Sequence, residues 1–261
     1  MEVCQVTLSS FTDEAQRLVG KANDDGITLR VMGATAIKMH CARFSGLLES
    51  MAREISDIDF MALSADKDRI VQFLPRMGYQ FDRRRLMIMR YFNRYIFDDP
   101  ENKRIADIFF DQLEMCHTID FGDRLKVDYP TISLADLLLE KLQIVKITEK
   151  DIKDCIVLLR EHDVADSDHE SINSVYISDL LSKDWGFYYT SSLNLSKIAE
   201  HLKEYDPLQE SDRADITSKI GLLQEQIDKA PKSMGWKMRA KIGTRQQWYR
   251  DVEEVERGPG S

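Results

Sequence analysis

The apolar positions in the first part of the chain switch between a helical and a strand period. Ala15, Leu18, Val19 and Ala22 recur at helical spacing, so residues 12–23 read as a helix with Thr12 as its cap. Residues 28–32 read as a short strand stopped by Gly33, and residues 35–44 as a helix. Residues 57–63 form a strand that begins polar and turns apolar, followed by a helix over 66–76 that carries Ile70, Phe73 and Leu74. Residues 86–91 and 94–97 read as the two strands of a hairpin. Residues 104–111 alternate cleanly, with Ile105, Asp107, Phe109 and Asp111 on one face and Ala106, Ile108 and Phe110 on the other.

From Ser133 onward the pattern turns helical. Ser133 with Asp136, and Thr148 with Asp151, are S/T-x-x-D caps that open two apolar-striped runs. Residues 164–171 are polar and acidic and read as a loop. Helices follow over 175–181, 193–205 and 212–230, the last with Ile216, Ile220, Leu223 and Ile227 in line. The chain is therefore expected to be α+β, a small mixed sheet with flanking helices over residues 1–163 and a helical region over 170–256.

Composition narrows this picture. The chain has 261 residues and is 43% hydrophobic, an ordinary globular balance that excludes a collagenous or low-complexity protein. With 36 Lys plus Arg against 45 Asp plus Glu, the formal charge of −9 argues against a protein that coats nucleic acid. The four cysteines are far apart, which points to a reducing compartment, and no stretch is apolar enough for a membrane span. A cytoplasmic protein without a membrane partner is the expectation. The five histidines show no metal-ligand spacing, and no G-x-S-x-G occurs.

The most informative stretch is R-E-I-S-D-I-D-F-M, residues 53–61, where Asp57 and Asp59 enter an apolar strand two residues apart. Strand geometry puts both carboxylates on one face, and like charges that close call for a cation. Magnesium takes oxygen ligands and suits such a pair. Upstream, Gly33-Ala34-Thr35 ends a strand and opens a helix, a turn that presents backbone N–H groups to an anion. Downstream, Asp107 or Asp111 offers a third carboxylate. A phosphate cradle beside clustered acids suggests metal-assisted phosphoryl or nucleotidyl transfer.

On these residues the chain resembles the DNA polymerase beta-like nucleotidyltransferase superfamily, in its minimal branch near the AbiEii-type toxins. The matching positions are Gly33 and Ala34 in the turn, Asp57 and Asp59 in the strand, and Asp107 on a later strand. Arg53 matches an arginine shortly before the acid pair, and Lys141 followed by Lys150-Asp151-Ile-Lys-Asp154 matches a lysine and a K-D-x-x-D motif. The resemblance spans roughly residues 28 to 162. Two departures stand out: the second turn residue is Ala34 rather than Gly or Ser, leaving Thr35 to supply any hydroxyl contact, and Asp111 competes with Asp107 as third acid.

The resemblance implies a nucleotidyltransferase fold and transfer of a nucleoside monophosphate from a triphosphate, ATP among the candidates, to a hydroxyl acceptor. Asp57, Asp59 and Asp107 are the implied catalytic and metal-binding residues, holding two ions of magnesium or manganese. Gly33, Ala34, Thr35, Arg53, Lys141 and Asp151 are the implied nucleotide-binding residues. Residues 81–95, where Arg83, Arg84, Arg85, Arg90 and Arg94 lie among aromatics, and the basic run from Lys232 to Arg250, are candidate RNA contacts. The rival reading is a catalytically inactive relative that binds nucleotide or RNA in a regulatory or toxin–antitoxin-like role.

Two side chains carry their own alternatives. Lys141 lies in line with Leu137, Ile144 and Val145 if the helix continues, so its ammonium needs either a nucleotide phosphate or a structural partner. Capping explains Asp151 without catalysis, although the resemblance keeps it among the site residues, and Asp154, one turn further on, reads either as reaching the same cleft or as an ordinary exposed helical aspartate.

Overall fold

A computed structural model describes residues 8–81 and 93–252. Helix α1 (Leu8–Asp24) starts one turn earlier than the sequence reading, because Phe11 extends the buried stripe of Ala15, Leu18 and Val19 and nothing before Thr12 breaks a helix. Strand β1 (Leu29–Met32) runs directly into α2 (Gly33–His40), which stops four residues short of the expected end. The Glu161 carboxylate accounts for that stop, since it accepts from the Phe44 amide at 2.9 Å and from Arg43 Nε at 2.6 Å. A short helix absent from the sequence reading, α3 (Ser45–Ser50), follows this turn.

Strand β2 (Ile58–Ala62), helix α4 (Lys67–Arg76), and strands β3 (Arg94–Asp99) and β4 (Arg104–Phe110) complete the front half. The four strands form one sheet in the order β1-β2-β4-β3, with β2 and β4 parallel and both outer pairs antiparallel. The hairpin is thus β3 with β4. Residues 86–91, the expected partner of β3, lie outside the described residues, as do Arg83, Arg84, Arg85 and Arg90. Ile58, Phe60, Ala106, Ile108 and Phe110 point into the core, so the opposite side chains of β2 and β4 face the site.

Strands β5 (Gln112–Glu114) and β6 (Thr118–Asp120) make a small separate hairpin. Helices α5 (Leu134–Leu142) and α6 (Glu149–Glu161) open on the two expected caps, Ser133 and Thr148, the second a full capping box with Asp151. Helix α5 ends at Leu142, where the Asn194 amide donates to the carbonyls of Leu142 and Ile144 at 2.9 and 2.8 Å. Ile144 and Val145 therefore do not continue its face. The acidic loop joins two short paired strands, β7 (Val164–Ala165) and β8 (Ile172–Asn173).

The helical region comprises α7 (Ser174–Leu181), α8 (Trp185–His201), α9 (Glu210–Lys229) and α10 (Met234–Ile242). Helix α8 begins eight residues before its expected start, capped by the Asp184 carboxylate, which accepts from the Phe187 amide. A Cβ on Gly186 would stand 2.4 Å from the Trp248 carbonyl oxygen, so this helix tolerates only glycine where the C-terminal segment crosses it. Ile216, Ile220, Leu223 and Ile227 are all buried, and the core runs without a break from α1 to α9. The architecture is α+β, as expected. No described helix is long and apolar enough to cross a membrane.

Candidate active site

The parallel pairing of β2 and β4 sets Asp59 directly opposite Asp107, and the antiparallel pairing of β1 and β2 sets it opposite Met32. The residue after Met32 is Gly33, which adopts φ +67°, and a Cβ there would lie 2.4 Å from Asp59 Oδ2. Turn and acid are therefore in contact, and this position needs glycine twice over, for its conformation and for the close approach. Ala34 avoids the left-handed region, since the positive φ falls on Gly33 alone in this turn. The Thr35 hydroxyl donates to the Asp57 carbonyl at 3.3 Å and is buried, so it ties α2 to the acid strand.

Register separates the two candidates for a third acid. Asp107 pairs with Asp59, while Asp111 lies four residues on, about 13 Å along the strand direction. There Asp111 adopts φ +58° and accepts from the Ser64 amide at 2.8 Å. Asp111 thus finishes a turn at the far end of the sheet.

Burial, then the nearby Asp57 and Asp107 charges, push the Asp59 carboxyl well above its usual range. Asp107 has a counter-ion that the sequence pattern did not indicate: Arg94, two residues along β3 from the direct partner Ile96, offers its guanidinium to both carboxylate oxygens, with Nε to Oδ1 at 2.7 Å. The guanidinium also lies 5.0 Å from the Phe109 ring centre. Burial works against the Arg94 charge, and Asp107 more than offsets it, so its pKa is raised. Period-2 spacing on paired strands could have suggested this diagonal pair, had the β3–β4 register been known.

Behind the turn lies a second group of charges. Arg53 grips Asp154 with two bonds, Nε to Oδ1 at 2.8 Å and Nη2 to Oδ2 at 2.9 Å. Lys141 Nζ lies 3.2 Å from Asp154, 3.4 Å from Asp151 and 3.7 Å from Glu140. Its ammonium is thus matched inside the protein, and these carboxylates raise its pKa against the opposing effect of burial. Asp151 serves twice, accepting from the Thr148 amide and hydroxyl while facing Lys141. Asp154, read from sequence as an ordinary helical aspartate, is only 1% exposed and holds this group together.

Glu140 links the two groups. Its Oε2 accepts from the Gly33 amide at 3.2 Å, whereas its buried Oε1 has no hydrogen-bond partner. Burial pushes this carboxyl up to about 7, with Lys141 and the Gly33 amide working the other way. In the folded protein Glu140 therefore keeps its proton to higher pH than in the unfolded chain, and stability falls as pH rises from about 4.5 through about 7. Glu140→Gln is expected to flatten that decline, by on the order of 1–3 kcal/mol between pH 5 and 8, in urea titrations at each pH.

The donor chemistry fits one hard cation held by Asp57 and Asp59 together with phosphate oxygens, since magnesium commonly takes one or two carboxylates and completes its shell from substrate. A second ion over Asp107 does not fit while Arg94 holds both its oxygens. Among the described residues, no three of His, Cys, Asp and Glu are grouped so as to hold a metal ion.

Gly33→Ala forces both a strained φ and a clash with Asp59. We expect it to cost about 1–3 kcal/mol and to weaken magnesium-dependent triphosphate binding at least about tenfold, read by denaturant titration and fluorescence anisotropy. Retained affinity would separate the turn from the ligand.

No protein-family model, no curated protein and no solved structure matches this chain.

Proposed function

We propose that this chain is a nucleotidyltransferase that moves a nucleoside monophosphate from a nucleoside triphosphate to a hydroxyl acceptor with magnesium. The observation that carries this reading is the position of Asp59, opposite Asp107 across parallel strands and in contact with the Gly33 turn. A helix-opening turn and a carboxylate that needs neutralising thus share one spot, where a metal–triphosphate complex would satisfy both.

Asp57 and Asp59 would hold the ion, which when bound supplies charge neutralisation to the triphosphate and to the departing pyrophosphate. The turn's backbone N–H groups would bind phosphate oxygens, and Thr35 would keep that turn in register with Asp57. The acceptor oxygen would bond to the α-phosphorus as the bond to the β-phosphate bridging oxygen breaks, and a carboxylate of the cluster would take the hydroxyl proton. Positioning and charge complementarity then supply most of the rate.

A second reading has its own support. Arg94 on Asp107 and Glu140 on the Gly33 amide close the site upon itself, as suits a module that binds nucleotide or RNA without turnover. Titration of the full chain with a non-hydrolysable triphosphate, with and without magnesium, tests what both readings share. Saturable, magnesium-dependent binding that weakens in Asp59→Asn is expected. Failure to bind any triphosphate would exclude both readings, and binding without transfer would select the second.

A further inference from the structure

Helix α10 stands apart from the other long helices in having no buried residue. Met234, Met238 and Ile242 recur at i, i+4 and i+8 along one edge, exposed by 73%, 65% and 41%. The helix is nonetheless fixed in place. Its Trp236 ring packs edge-on against Tyr188 at 5.1 Å, and the Ser233 amide just before it donates to the Ser182 carbonyl at 3.0 Å.

The charges around this edge are as unusual as its apolar side chains. Residues 231–250 carry six cations and no acid, in a chain whose formal charge is −9. Arg53, Arg94, Arg124 and Arg160, by contrast, sit on carboxylates. Among the described residues, no carboxylate pairs with Lys232, Lys237, Arg239, Lys241 or Arg245. Three of these are held by backbone carbonyls: Lys232 by Ile227, Arg239 by Gly243 and Gln246, and Arg245 by Lys241 and Ile242. Arg239 also lies 4.9 Å from the Trp185 ring centre. Among the described residues these five cations lack carboxylate partners, whereas the sixth of the run, Arg250, lies 3.3 Å from Glu114.

We propose that the Met234–Met238–Ile242 edge of α10 is the docking face for an acidic amphipathic helix of another protein. The partner's aliphatic side chains seat on the stripe, and its carboxylates pair with the flanking cations. Methionine's flexible thioether suits a surface that must conform to a partner. RNA fits less well, because the segment's aromatic side chains are turned onto the body: Trp236 on Tyr188, and Trp248 donating to Thr190 Oγ1 at 3.0 Å. Both tryptophans of the segment are thus engaged by the body and not presented as free stacking platforms. An anionic membrane is disfavoured too, since three side chains on a nine-residue helix make a small apolar face and its tryptophan points away from it.

The test uses the full chain with methyl-labelled methionines and a synthetic helical peptide of about 20 residues, leucines along one face and glutamates elsewhere. Saturable binding is expected to shift the Met234 and Met238 methyl signals. Met238→Glu should weaken it at least about tenfold with an unchanged melting temperature, and binding should weaken as salt rises. Absence of saturable binding, or binding indifferent to Met238→Glu, would overturn the proposal. So would the same signals moving with phosphatidylserine vesicles or polyuridylate but not with the peptide, or with protein concentration alone, which would make the occupant lipid, RNA or a second copy.

Discussion

Asp59→Asn is expected to abolish nucleotidyl transfer while making the protein more stable. The asparagine keeps the shape of the side chain but removes a charge that burial, Asp57 and Asp107 all disfavour. The melting temperature should therefore rise, by roughly 2–8 °C if the relief is about 1–2 kcal/mol. Transfer should fall by at least about 100-fold, the scale seen when a group that stabilises developing charge is lost. Opposite signs for stability and activity identify a charge retained for function. A variant less stable than the parent would instead make Asp59 part of the scaffold.

The largest stability loss is expected from Asp154→Ala. This change leaves Arg53 without its two-point partner and takes the nearest carboxylate from the buried Lys141. Removing one member of a buried ionic group costs about 3–5 kcal/mol, because the remaining charges stay buried without compensation. For a chain of this size that corresponds to a fall in melting temperature of roughly 6–20 °C. Asp151→Ala should cost less, since its residue also faces solvent and Asp154 still holds Lys141. Equal losses for the two would mean that the lysine, rather than Arg53, dominates the group.

The sequence carried the fold where periodicity and capping agree. The alternation over residues 104–110, the in-line Ile216, Ile220, Leu223 and Ile227 of α9 and both S/T-x-x-D caps each appear in the structure as local chemistry dictates, whereas Asp111 leaves the strand face for a turn. It missed what depends on distant partners. Helix α2 ends early because Glu161, far along the chain, accepts from the Phe44 amide, and α5 ends at Leu142 where the Asn194 amide donates to the Leu142 and Ile144 carbonyls.

The site divides in the same way. The Gly33 turn and the strand that carries Asp59 were legible because turn chemistry and strand period are local properties, while Asp57 stands one residue before β2. Which of Asp107 and Asp111 lies beside Asp59 depends on the β2–β4 register, and the pairing of Arg94 with Asp107 depends on the β3–β4 register. Asp154 had a signal that went unused. The segment from Asp154 to Leu159 is apolar almost all round, so a helix there is buried on most sides and an aspartate within it must be paired.

The most direct test supplies the full chain with magnesium and each nucleoside triphosphate in turn, labelled on either the α- or the γ-phosphate, with cell RNA, protein and small-molecule extracts offered separately as acceptors. The predicted result is covalent transfer of the α-label, release of the γ-label as pyrophosphate, and loss of both in Asp57→Asn and Asp59→Asn. Transfer of the γ-label, or α-label transfer that survives both substitutions, would contradict it.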